Sequence, residues 1–282
     1  MNTNDTKYKI AFFGTPDFSV IILDELKRHG ILPTLVITAP DKPKGRHLVL
    51  TPPPVKVWAD ENNIPTLQPE KLDAEFRYKI QDTRYDLFIV AAYGKILKKE
   101  VLDMPAHGTL NVHPSLLPKY RGSSPIESAI LAGDAETGVS IMLLDEQMDH
   151  GPVLTQEKVP LDEATGATAL ERELAILGGS LLARSIPSWI AGTLKATAQD
   201  DTRATVTKKI KKEDGLIDLS ADPTTNYRKI RAYQGWPRTY FIKDNKRVVI
   251  AEAEIEDNTL HIRRVIPEGK KEMGYEDFLR TK

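Results

Sequence analysis

Apolar runs alternate with amphipathic helical stretches from Lys7 to Ile190, and a tail of β-type runs separated by Asp-Asn turns follows. Together they predict an α/β chain with a doubly wound, mostly parallel sheet and a second, small β-rich domain. Length supports the division, since 282 residues exceed one comfortable core. The boundaries read as 1–190 for the first domain, 191–207 for a polar linker and 208–282 for the second domain.

Lys7 to Phe13 reads as a buried first strand ending at Gly14. Asp17 to Arg28 then reads as a helix, with Pro16 where a helix can begin, Val20, Ile21, Leu23 and Leu26 at helical spacing, and His29-Gly30 as its stop. This strand-turn-helix opening lacks the glycine spacing of a dinucleotide fold, which argues against a nicotinamide site. Ile31 to Thr38 is a second strand. The loop from Ala39 to Pro54 holds five prolines and four cationic or imidazole groups. So many prolines are expected to prevent regular pairing, and a loop this long inside a compact domain is expected to be functional.

Val55 to Glu61 and Ala74 to Asp82 read as helices, with a short strand at Pro65 to Leu67 between them. Tyr85 to Ala92 is apolar and of strand length, as a central parallel strand covered on both faces would be. Ser124 to Leu131 reads as a helix capped by Ser123 or Ser124 with Pro125 in its first turn, Gly138 to Leu144 as a strand and Thr168 to Ile190 as helix-rich. In the tail, a helix at Pro223 to Ala232 precedes antiparallel runs at 239–242, 247–255 and 259–266.

One stretch concentrates polar chemistry. In Gly108-Thr109-Leu110-Asn111-Val112-His113, Asn111 and His113 are two apart on a strand and project from one face. A proline-rich loop, Pro114 to Gly122, follows at the strand's carboxyl end, where open α/β sheets bind small ligands. Ser115 lies in no Gly-x-Ser-x-Gly elbow, which excludes that hydrolase chemistry. His113, Asp149 and His150 are the nearest to a metal set, but there is no HExxH or close His pair, so no metal is expected.

Bulk properties narrow the classes further. The chain has no cysteine, which excludes disulfides, thiolate catalysis and Cys-ligated metals. It has no apolar run long enough to span a bilayer and no signal-peptide core at its start, so a cytoplasmic location and no membrane partner are expected. The net charge of −1 is unevenly placed: 18 Lys/Arg stand against 13 Asp/Glu from Arg203 onward, and 21 against 27 before it. An acidic body with a basic tail suits a catalytic domain carrying an RNA-contacting appendage.

The order Asn111-Val112-His113-Pro114-Ser115-Leu116-Leu117-Pro118, then Arg121-Gly122, Gly133-Asp134, Glu136-Thr137-Gly138-Val139 and Asp149-His150-Gly151, resembles the signature of the folate-dependent formyltransferases. Gly14-Thr15-Pro16-Asp17-Phe18, Asp41 to Arg46, Pro54 to Val57, Ala92-Tyr93-Gly94 and Pro267 to Lys271 extend the likeness nearly end to end, closest to the branch acting on methionyl-tRNA.

The resemblance implies a Rossmann-like catalytic domain with a small OB-like C-terminal domain. Here that second domain is shortened, with room for three or four strands instead of a closed five-stranded barrel. It implies 10-formyltetrahydrofolate as formyl donor and initiator methionyl-tRNA as acceptor; a monomer is expected. Asn111, His113 and Asp149 would be catalytic. Asn111 can donate to a developing oxyanion, His113 can donate to it or take the amine proton, and Asp149 can orient the imidazole and relay the proton; the residue types leave open which is the general base. Ser115, Leu116, Leu117 and Pro118 would clamp the folate, with Leu87 to Ile96 forming part of its pterin slot. Phe18 would line the pocket for the methionyl end, core packing being the other reading of that residue, and Arg46 would meet the tRNA acceptor stem. The family's usual basic pair after Arg46 is replaced here by His47-Leu48-Val49-Leu50. The alternative acceptor is the amino group of a nucleotide-linked sugar, and a third reading has water in its place.

Overall fold

The computed structural model describes residues 7–45 and 48–280. In chain order the body of the protein runs β1 (Ile10–Gly14), α1 (Asp17–Arg28), β2 (Leu35–Ile37), β3 (Lys42–Lys44), β4 (Val49–Thr51), α2 (Pro54–Glu61), β5 (Thr66–Leu67), α3 (Ala74–Ile80), β6 (Leu87–Ala91), α4 (Lys99–Leu102) and β7 (Thr109–His113). It continues with α5 (Pro125–Ala132), β8 (Glu136–Leu143), β9 (Val153–Pro160) and the long α6 (Ala167–Ile190). The tail holds α7 (Pro223–Ala232), β10 (Tyr240–Lys243), β11 (Lys246–Glu256), β12 (Thr259–Pro267), β13 (Met273–Gly274) and α8 (Tyr275–Arg280).

Two compact units emerge, one of residues 7–121, 138–158 and 171–205, the other of 122–137, 159–170 and 206–280. The sequence had suggested a cut by chain order at 190 and 208. Compactness divides the chain differently, because α5 belongs with the tail and residues 191–205, expected as linker, belong with the first unit. Those residues are tied down: Thr197 bridges Val153 in both directions at 2.8 Å, and the Arg121 N–H donates to the Thr205 carbonyl at 2.9 Å.

The first unit is built on a sheet of order β5-β2-β1-β6-β7-β8-β9, parallel from β5 through β7 and antiparallel between β7 and β8. Strand alternation sorts its side chains. Ile10, Phe12, Leu87, Ile89, Leu110 and Val112 meet α1, α2 and α6 on one face, while Ala11, Phe13, Phe88 and Val90 meet α3 and α4 on the other. Helices thus cover both faces, the doubly wound arrangement expected. The alternation also sends Asn111 and His113 away from the core that takes Leu110 and Val112. Helix α1 forms as its sequence suggests, with Asp17 in the first turn, Lys27 and Arg28 in the last, and Ile22, Leu23 and Leu26 buried.

The expectation that prolines keep residues 39–54 unpaired is corrected. Lys42, Pro43 and Lys44 pair antiparallel with Thr51, Leu50 and Val49. Both strands of a two-stranded ribbon are edges, where a proline's missing N–H is tolerated.

The second unit centres on an antiparallel sheet of order β10-β11-β12-β13. Its core gathers Ile217, Ile230, Phe241, Val248, Ile250, Val265 and Phe278. Four strands, with a single extra bridge from Leu216 to Tyr240, leave the sheet open among the described residues, in keeping with a shortened second domain.

Candidate active site

β7 ends at His113, and its register places Asn111 beside Val90 of β6 and His113 opposite Ser140 of β8. The strand therefore delivers both polar side chains at the carboxyl edge of the parallel part of the sheet. His113 is 4% exposed and held on two sides. Its Nε2 lies 3.0 Å from the Tyr120 carbonyl oxygen, and its Nδ1 lies 3.8 Å from Asp149 Oδ2. A carbonyl only accepts, so Nε2 carries the proton of the neutral ring and Nδ1 presents its lone pair on the Asp149 side.

Asn111 is 8% exposed, and its side chain makes no hydrogen bond among the described residues. Neither its oxygen nor its nitrogen belongs to the sealed, partnerless side-chain atoms found among the described residues, which are Thr38 Oγ1, Tyr93 OH, Arg231 Nε and Arg247 Nε. A buried amide with unmet donors that can still be reached is suited to binding an oxygen atom that develops charge.

Asp149 comes from the loop between β8 and β9, with its backbone in the left-handed region at φ +50°. The loop sits hard against the end of β8, since a Cβ on Gly151 would overlap the Leu143 carbonyl oxygen. His150, next to Asp149, faces outward from this trio: its Nδ1 is 2.6 Å from Asp145 Oδ2 and its Nε2 3.6 Å from Asp201 Oδ2. The bond to Asp145 raises the His150 pKa above its ordinary value. The Gln199 amide nitrogen donates to the carbonyls of Asp149 and Gly151.

The loop after β7 is ordered by its own Ser115 and by polar side chains of β8 and β9. Ser115 Oγ donates to the Lys119 carbonyl at 2.6 Å, Ser140 Oγ accepts from the Leu117 N–H at 3.1 Å, and Gln156 Nε2 donates to the Leu117 carbonyl at 2.8 Å. Ser115 and Leu117 are buried in this role, while Leu116 and Pro118 keep part of their surface open. Tyr93 is buried beyond the end of β6, its phenol pushed up to about 12 by burial. The first turn of α1 is pinned to this strand end, with Ser19 Oγ donating to the Ala91 carbonyl at 2.7 Å.

The structure thus brings Asn111, His113 and Asp149 together, with the Ser115–Pro118 loop leading directly from them. Phe18 is buried in the core with Ile22 and Leu23 and is not part of the cluster. Arg46 lies outside the described residues. Tyr120, Ser140, Gln156 and Gln199 support the site without having been singled out by sequence. Their contacts run through backbone carbonyls or across dozens of residues, and no local pattern announces them. Among the described residues no three of His, Asp and Glu converge as a metal site, and no helix is long and apolar enough to cross a membrane.

Comparison with known proteins bears on the family of the chain. A family model described as formyl transferase matches residues 8–186, and one described as formyl transferase, C-terminal domain, matches 209–260. A methionyl-tRNA formyltransferase of Halalkalibacterium halodurans is 40% identical over an alignment 299 positions long, spanning 96% of this chain and 94% of its own. One from Geobacillus sp. strain WCH70 is 46% identical over 233 residues, spanning 82% and 73%. Among solved structures, the N-formyltransferase from Helicobacter canadensis in complex with folinic acid and dTDP-3-aminofucose shares the fold at 17% identity, with a TM-score of 0.65 over 95% of this chain and 98% of that one. The chain belongs to the formyl transferase family.

Proposed function

We propose that the protein transfers the formyl group of 10-formyltetrahydrofolate to the free amino group of methionyl initiator tRNA, in the cytoplasm and without a metal. The observation that carries the acceptor is the reach of the likeness, because relatives named for methionyl-tRNA align with both the catalytic body and the tail. The cluster at the end of β7 supports the chemistry.

Asn111 donates an amide N–H to the formyl oxygen as negative charge builds on it, an interaction that strengthens toward the transition state. His113, with its proton on Nε2 held by Tyr120, offers Nδ1 to the attacking amine. A new carbon–nitrogen bond forms, the bond from the formyl carbon to the folate nitrogen breaks, and the amine proton passes by way of Nδ1 to that leaving nitrogen. Asp149, opposite Nδ1, stabilises the positive ring while it holds the proton. No covalent enzyme intermediate is needed.

The residues present fit the folate donor: Leu116 and Pro118 keep apolar surface open in the loop that follows Asn111 and His113, and Ser115 and Leu117 hold that loop. Arg46 meets the acceptor stem. The test is formyl transfer from 10-formyltetrahydrofolate to charged initiator methionyl-tRNA, beside a panel of nucleotide-linked amino sugars and a control lacking acceptor. Transfer to the tRNA alone is expected. Transfer only to a sugar, or folate hydrolysis alone, would overturn the acceptor assignment.

A further inference from the structure

We propose that the segment from Gln199 to Thr205 is a positioning clasp for the His113 imidazole, with Gln199 setting Asp149 on one side of the ring and Thr205 setting Tyr120 on the other. The proposal rests on the catalytic reading of His113 and Asp149.

The two groups that face the ring are both on unusual backbone. Asp149 has φ +50° and Tyr120 has φ +62°, a region that side chains other than glycine rarely adopt. Such conformations persist where surrounding contacts over-determine them. Here both are met by the same short segment. Gln199 Nε2 donates to the Asp149 carbonyl at 2.9 Å and to the Gly151 carbonyl at 2.8 Å, holding the loop on either side of His150. Thr205 Oγ1 accepts from the Tyr120 N–H at 2.8 Å, and the Thr205 N–H donates to the Pro118 carbonyl at 3.2 Å.

Chemistry fixes the direction of the Gln199 amide. Its Oε1 accepts from Arg121 Nε at 3.0 Å, and a guanidinium only donates. The oxygen must therefore face Arg121 and the NH2 must face the two carbonyls. Arg121 is itself 8% exposed and bound a second time, by Nη2 to Asp201 Oδ1 at 2.7 Å. A buried arginine thus grips the segment at Gln199 and at Asp201. The Asp149 loop, the Tyr120 turn and residues 199–205 lie far apart in sequence, and the segment contacts both, so a shift in it moves both ring partners together.

The test compares Gln199→Leu, Gln199→Glu and Thr205→Val with the unaltered chain in steady-state formyl transfer, and repeats Gln199→Leu in an Asp149→Asn background. Glutamate at 199 still accepts from Arg121 but has no N–H for the two carbonyls, so it separates the positioning contacts from the anchoring one. Each Gln199 variant is expected to lower kcat on the order of tenfold to a hundredfold with KM for both substrates changed less than about threefold. In the Asp149→Asn background the same change should lower kcat by less than about twofold further. Thr205→Val should lower kcat in either background. If Asp149→Asn is slow while Gln199→Glu keeps the normal rate, the clasp is wrong and the catalytic assignment stands. An equal loss from Gln199→Leu in both backgrounds would also overturn it, because Gln199 would then act on something other than Asp149. Full activity of Asp149→Asn would remove the catalytic reading and the clasp with it. Should Gln199→Leu fail to fold, Gln199→Glu and Thr205→Val, whose folding is checked by thermal unfolding, carry the same decision.

Discussion

His113 and Asp149 face each other across 3.8 Å, Nδ1 to Oδ2, with the opposite nitrogen of the ring already bound to the Tyr120 carbonyl. That separation is too long for a hydrogen bond and short enough for the carboxylate to stabilise a proton arriving on Nδ1. His113→Ala should lower kcat on the order of a hundredfold or more and leave folate affinity, measured by calorimetry, within a few-fold, since the ring acts mainly in the transition state. Near-normal turnover would take His113 out of the mechanism.

The oxyanion role proposed for Asn111 rests on an amide that has no hydrogen-bond partner among the described residues. Asn111→Asp keeps the shape and replaces a donor with an acceptor, so it should lower kcat by roughly a hundredfold to a thousandfold with folate still bound. Unchanged kcat with weakened folate binding would instead make Asn111 a binding group.

The pH dependence of stability has a predictable sign at His150. Its bond to Asp145, supported by the charges of Asp145 and Asp201 and opposed by desolvation and by Arg121, raises its pKa in the folded state. Protonation is thus favoured by folding. The stabilisation is fully present below the unfolded value of about 6.5 and fades as pH rises through the folded one. The Tm difference between the unaltered chain and His150→Gln should be largest near or below about pH 6 and shrink at higher pH. A difference that grew with pH would contradict the assignment.

Gly151 tests the loop that carries Asp149. An alanine there would overlap the Leu143 carbonyl, a backbone atom that cannot swing aside. Gly151→Ala should destabilise the protein by about 1–3 kcal/mol in denaturant titrations with an unchanged m value, and should lower kcat more than it raises KM. An unaffected midpoint would show that the loop stands off β8.

Legibility in the sequence followed the range of the interactions. Asn111 and His113 were readable as a pair because a strand's two-residue period is local. Leu87 to Ala91 were readable as a central strand because both neighbours bury it. Asp149 was visible only through family resemblance, since a left-handed loop residue has no periodic signature. β9 escaped because its alternating exposed positions, Gln156 and Lys158 among them, make it a weakly apolar run. The β3–β4 ribbon escaped because Pro43 argued against any pairing. Gln199 lay in a polar stretch whose role depends on carbonyls some fifty residues away.

The acceptor assignment places a final demand on the β3–β4 ribbon. Lys42 and Lys44 are exposed on its first strand, and Leu48, Val49 and Leu50 are 71%, 62% and 65% exposed where the family's basic pair is absent. Arg46 falls between them in the sequence and lies outside the described residues. With apolar residues following it, few cations remain in this ribbon to hold phosphate, and each should count. Neutralising one phosphate contact changes the slope of log affinity against log salt by roughly 0.7–0.9. Arg46→Ala should therefore weaken tRNA binding at low salt and flatten that slope by about this amount, with folate affinity and the rate at saturating tRNA little changed. A slope identical to that of the unaltered chain would mean that the ribbon does not touch the nucleic acid through Arg46, and that the exposed apolar residues or the basic tail must supply the contact.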